Sequence, residues 1–160
     1  MDSKRQATRR RTNAGFSTVE LAVVVTISLV MMGFAVPMVR QTVFRYRLGG
    51  AVSSVTAAIR TTRYQALMKG YRHRLAISPT SRDYQLSSMV PPATSYSNVG
   101  SAVPISSPSA PVTISAATTL EFRPNGQVSA TTGAMNLNVT YEGVTKTITV
   151  STYGNVTVTP

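Results

Sequence analysis

The chain has 160 residues, with 16 Lys and Arg against five Asp and Glu, for a net charge of +11. It contains no cysteine, which excludes a disulfide framework and a thiolate metal site. The lone histidine, His73, and the scattered acids Asp83, Glu121 and Glu142 form no acid–base or metal cluster in the sequence, and there is neither a Gly-x-Ser-x-Gly elbow nor a phosphate-cradling glycine loop. The expectation is a protein that is not an enzyme, with no catalytic residues, no cofactor and no metal.

Residues 1–15 form a basic leader, with Lys4, Arg5, Arg9, Arg10 and Arg11 against Asp2 and no hydrophobic stretch of its own. A secretory signal puts its apolar core before the cut. Here the core follows Gly15. From Phe16 to Val39 the only ionisable side chain is Glu20. At about 1.5 Å per residue such a helix crosses a bilayer core of about 30 Å. The basic residues ahead of it predict a cytoplasmic N-terminus and a single pass, with the rest of the chain on the far side. A carboxylate in hydrocarbon is expensive, so Glu20 calls for a compensating charge.

Residues 38–69 continue the helical period, with Val39, Val43, Leu48, Val52, Val55, Ile59, Leu67 and Met68 as apolar positions. Gly33 and Pro37 predict a kink or local melting near 33–37, and Gly49-Gly50 is a second weak point. Gly70 predicts the helix end. The organisation expected is a cleaved leader at 1–15, a membrane helix at 16–39, an amphipathic helix at 40–70 packing on the head, and a β-rich head at 71–160.

Beyond Gly70 the period becomes two. Strands are predicted at 72–78 and 83–87 around a Pro79-Thr80-Ser81-Arg82 turn, and residues 88–111 read as loop because of their prolines. Further strands are predicted at 112–115, at 119–123 before Pro124-Asn125-Gly126, and at 135–141 and 144–152 flanking Glu142-Gly143. A last strand follows at 156–159. The fold class predicted is α+β: a long N-terminal helix carrying an antiparallel β-sandwich-like head.

Nine of the eleven basic residues beyond the leader fall between Arg40 and Arg82. Arg40, Arg45 and Arg47 are placed to meet lipid phosphates. Arg60, Arg63, Lys69, Arg72 and Arg74 are a candidate patch for nucleic acid or an acidic partner, or simply a solvated face that meets neighbouring subunits.

Gly15-Phe16-Ser17-Thr18-Val19-Glu20 with the apolar run behind it resembles the signal of type IV pilins and type II secretion pseudopilins. Pro37 matches a helix-kinking proline common in pilins. Ala57-Ala58-Ile59-Arg60 through Lys69-Gly70, Leu120-Glu121-Phe122-Arg123-Pro124-Asn125-Gly126 and Thr147-Ile148-Thr149-Val150 through Val156 are similar to elements of the GspH/FimT family. The resemblance implies cleavage by a prepilin peptidase between Gly15 and Phe16, N-methylation of Phe16, and assembly in which Glu20 meets the Phe16 amine of a neighbouring subunit. It implies a bacterial inner-membrane protein with a periplasmic head that enters a pseudopilus or pilus with other pilin subunits. Its function would be that of a minor pseudopilin of type II secretion, or alternatively of a minor type IV pilin for pilus biogenesis or DNA binding. The final turn, Tyr153-Gly154-Asn155, departs from DNA-binding members in carrying no basic residue.

Overall fold

In the computed structural model the described residues are 15–107 and 111–160, with 35–37 described by backbone alone. The leader before Gly15 and the Pro37 side chain therefore lie outside the described residues. The chain divides after Arg40 into two units.

A helix, α1, is assigned over Thr18–Lys69. Its first bond runs from the Leu21 N–H to the Ser17 carbonyl at 3.1 Å, which makes Ser17 the N-cap. It stops at Gly70, whose φ of +73° is a left-handed conformation that glycine adopts freely. The Gly70 N–H closes the last turn on the Ala66 carbonyl at 3.2 Å. The helix assignment is unbroken at Gly33 and at Gly49-Gly50, so the expected melting near 33–37 and the weak point at the glycine pair leave no gap. At Gly49-Gly50, the neighbouring helix formers and the packing of Leu48, Ala51 and Val52 offset the glycine penalty.

In the unit from Gln41 onward, α1 buries Leu48, Ala51, Val52, Val55, Ala58, Ile59, Thr62 and Ala66, a stripe at three- and four-residue spacing. Of the positions expected to be apolar contacts, Val39, Val43, Leu67 and Met68 are exposed instead. The stripe leaves them on another side of the helix, and alanines replace them as the residues that let the backbone approach the sheet. Thr62 is tolerated there because its hydroxyl donates to the Ala58 carbonyl at 2.7 Å.

Among the described residues ten strands follow: β1 (His73–Ser78), β2 (Asp83–Ser88), β3 (Ser97–Asn98), β4 (Val103–Pro104), β5 (Thr113–Ile114), β6 (Thr118–Phe122), β7 (Val128–Thr132), β8 (Asn136–Tyr141), β9 (Val144–Val150) and β10 (Val156–Thr159). One sheet runs β3-β2-β1-β6-β7, with β4 also on β2; the other runs β10-β9-β8-β5. The pairings are antiparallel throughout. The fold class is α+β, a long N-terminal helix followed by antiparallel sheets. The 88–111 stretch is not all loop, because the edge of β2 captures β3 and β4. Strand β7 has no counterpart among the predicted strands; Val128-Ser129-Ala130-Thr131-Thr132 has little apolar alternation and is held by β6.

Both sheets and the helix share one core, in which Leu75, Phe122, Val139 and Ile148 are fully enclosed. Each such side chain contributes about 1.5–3 kcal/mol through burial. At the start of this unit the Phe44 ring meets Tyr141 edge-on at 5.7 Å, and Arg47 Nη1 donates to the Tyr141 hydroxyl at 3.2 Å. The β8–β9 hairpin turns through Glu142 at φ 47° and Gly143 at φ 77°, the two left-handed positions of a tight hairpin turn.

Candidate assembly helix and basic surface

Gly15 and Phe16 lie just ahead of α1, and Phe16 is 79% exposed. With Ser17 as N-cap, Glu20 occupies the third helical position, in the first turn. Ser17-Thr18-Val19-Glu20 thus has the Ser-x-x-Glu pattern of a capping box. An acid there complements the positive end of the helix dipole by about 0.3–1 kcal/mol. The Ser-x-x-Glu spacing is the sequence signal for this position, and the reading of Glu20 as an assembly acid did not use it.

From Val19 to Phe34 the large apolar side chains are exposed, on every side of the helix. The most apolar window of α1 has a mean hydropathy of 2.3 and no burial inside the protein. A helix that is apolar all round requires lipid or other helices as its surroundings. Its polar interruptions are satisfied internally. Thr26 and Ser28 donate to the carbonyls of Ala22 and Val24, each at 2.8 Å. That removes the cost of placing free hydroxyls in an apolar medium. By length and composition this helix is able to cross a membrane.

The five-residue basic patch is redistributed by the fold. Arg74 on β1 stands opposite Glu121 on β6 in the antiparallel register. Its Nε and Nη2 both donate to Glu121 Oε2, at 3.1 and 2.9 Å. The Tyr96 hydroxyl donates to the same oxygen at 2.9 Å, and the Arg74 guanidinium lies 3.7 Å from the centre of the Tyr96 ring. Arg72 Nη1 and Arg123 Nε approach Oε1 at 3.5 and 3.7 Å. Three arginines therefore surround one buried carboxylate. Burial alone would raise the Glu121 pKa. The hydrogen bonds from Arg74 and Tyr96 and the charges of Arg74 and Arg72 outweigh it and hold that pKa below the ordinary value. Tyr96 is pushed up, by burial first and then by its bond to Glu121.

The other members of the patch lie elsewhere. Arg63 packs under the β9–β10 turn, where a Cβ on Gly154 would come within 2.5 Å of its Cδ. Arg60 is exposed on α1, and Lys69 is in its last turn. His73 alternates to the inner face of β1 with Leu75 and Ile77 and is fully buried. Its ring stacks on Tyr71 at 4.9 Å and its Nδ1 lies 3.1 Å from the Tyr71 carbonyl. Burial, and then the nearby Lys69 charge, lower its pKa against the opposing effect of that backbone bond. The roles of Glu121, Tyr96 and Arg123 have no sequence signal beyond residue type, because strand pairing alone brings them together.

The arrangement holds charge and apolar surface in fixed places. A long N-terminal helix followed by these antiparallel sheets is a pseudopilin-like fold. It is similar to the minor pseudopilin EpsH from the type 2 secretion system of Vibrio cholerae, with a TM-score of 0.51 and 10% sequence identity over 69% of this chain and 95% of that one. No family model matches the chain, and no curated protein matches it.

Proposed function

We propose that this chain is a minor structural subunit, a pseudopilin, of a type II secretion pseudopilus, built into the filament through its N-terminal helix. One observation carries the reading: an all-round apolar helix with a lone acid in its first turn begins a chain whose head has a pseudopilin-like fold. On this reading a prepilin peptidase cuts between Gly15 and Phe16 and methylates the new amine. The helix crosses the bacterial inner membrane once, with a cytoplasmic N-terminus and a periplasmic head. In the filament, Glu20 of one subunit neutralises the Phe16 amine of the next. Losing one partner of such a buried pair costs about 3–5 kcal/mol. The chain's work is mechanical, and the covalent steps are performed on it.

The likeness to a secretion-system subunit favours this reading over a DNA-binding minor pilin. The engagement of Arg72 and Arg74 by Glu121 favours it too, because it reduces the charge open to phosphates. The test is the intact mass of the protein recovered from membranes of a bacterium with a prepilin peptidase. An N-methylated chain starting at Phe16 is expected; retention of the first fifteen residues overturns the proposal. Glu20→Ala is expected to insert normally and to be depleted at least about tenfold from filaments. Unchanged incorporation would remove the pairing role.

A further inference from the structure

Two cavities lie on either side of Ser106-Ser107. One, of about 360 Å³, is bounded on the helix by Tyr46, Arg47 and Gly50. The other, of about 260 Å³, is bounded by Arg82 and the β1–β2 turn hydroxyls of Thr80 and Ser81. Both serines line both cavities, and among the described residues neither cavity is lined by an acid. The neighbouring Asp83 carboxylate accepts the Ser81 hydroxyl at 2.6 Å.

Of the two flanking arginines, Arg47 is held through its side chain and Arg82 through its backbone. The bond from Arg47 to Tyr141 uses one of five guanidinium N–H groups and fixes the direction of the side chain. Arg82 has φ 56°, uncommon for a residue with a Cβ, and its carbonyl accepts the Ile105 N–H at 2.9 Å. That bond ties the Arg82 backbone to the residue before the two serines. Strained backbone of this kind concentrates at ligand clamps. At Gly50 nothing lies within 4 Å of the place a Cβ would occupy, so the first cavity stays open on the helix side.

Guanidinium forks and hydroxyls in an acid-free cavity match the oxygens of a phosphate ester. The source of phosphate follows from position. Arg47 stands eight residues beyond Val39, the end of the apolar run, with Arg40 and Arg45 between and the 83% exposed Tyr46 beside it. Arg and Tyr next to an apolar span mark the headgroup layer. We propose that the paired cavities bind the headgroup of an anionic phospholipid, with Arg47 and Arg82 gripping phosphate oxygens and Ser106, whose Oγ accepts the Val112 N–H at 3.4 Å, donating its own hydrogen bond. The choice of lipid rests on reading the apolar run as membrane-embedded.

The full chain in non-ionic detergent is titrated with phosphatidylglycerol or phosphatidylcholine, and bound lipids are counted by native mass spectrometry. Phosphatidylglycerol is expected to bind at least about tenfold more tightly. Arg47→Gln and Arg82→Gln should each weaken it about three- to tenfold. Gly50→Leu, which fills the cavity and keeps every charge, should do the same, while Lys146→Gln leaves binding unchanged. Equal binding of the two lipids overturns the proposal. So does full binding by Gly50→Leu, which would mark diffuse charge attraction. Displacement of the lipid by inorganic phosphate or a short single-stranded DNA, with the same arginine dependence, overturns the lipid assignment. Binding in micelles is independent of leader cleavage, so failure here leaves the pseudopilin reading standing, and a retained leader with normal lipid binding sinks only that reading.

Discussion

Gly133 sits where the chain leaves β7 for β8 and so passes from one sheet to the other. Its φ is +72°, and a Cβ placed on it would lie 2.4 Å from the Ala117 carbonyl oxygen and 3.2 Å from the Thr118 Cα. Both obstacles are backbone, so a rotamer change cannot relieve the collision. Gly133→Ala therefore meets two penalties. The left-handed conformation costs about 1–2 kcal/mol for a residue with a Cβ. Displacing the start of β6 adds about 1–3 kcal/mol, the usual range for overpacking. Gly143→Ala is the matched control, since φ there is +77° but nothing lies within 4 Å of a Cβ. It should meet the first penalty alone. At about 4 °C per kcal/mol for a unit of this size, the melting midpoint should fall about 8–20 °C for Gly133→Ala and about 4–8 °C for Gly143→Ala. The assay is thermal unfolding of the full chain in detergent, followed by the near-ultraviolet circular dichroism of its tyrosines, which reports the head rather than the apolar helix. Two variants separated by less than about 0.5 kcal/mol would refute the steric reasoning and mean that the Ala117 carbonyl yields freely.

Glu121→Gln should destabilise the head by about 1–3 kcal/mol, a value reduced by the partial exposure of Arg72, Arg74 and Arg123. Because the folded pKa of Glu121 lies below its ordinary 4.5, its contribution is present above that value and is lost as pH falls through the folded pKa. Urea titrations across the acid range should show a shallower pH dependence in Glu121→Gln, and identical acid limbs would refute the assignment. His73 has the same sign for a different reason: the buried ring resists protonation, so stability is full above the ordinary 6.5 and declines as pH drops from there toward the lowered folded value. An NMR titration of the ring that gives a pKa at or above 6.5 would contradict this. Gly154→Ala should be destabilising through contact with the Arg63 side chain, and Arg63→Ala should recover at least about 0.5 kcal/mol of the loss in a double-mutant cycle; strict additivity would show that the contact carries no energy.

What was legible in the sequence was whatever a local period or turn encodes. The alternation in β1, β8, β9 and β10 and the stop at Gly70 stand in the chain itself, and the strands formed within about two residues of the expected bounds. The choice of helix face was less legible, because Leu67 and Met68 are apolar yet exposed while Thr62 and Ala66 are enclosed. Only the position of the sheet decides that, and the sheet is a long-range object. Strand β7 depends on β6, and β3 and β4 depend on β2, so their own side chains announce little. The basic patch shows the same limit. Arg72 and Arg74 read as free cations until the register sets Arg74 against a carboxylate 47 positions away.

The clasp of Phe44 and Arg47 on Tyr141 has a mechanical consequence. Traction applied to the helix from its amino-terminal side reaches this ring-and-guanidinium grip before it reaches the alanine contacts further along. Force that reaches Tyr141 enters β8, which is paired on both sides, with β9 and β5, and so is carried by an inner strand of its sheet.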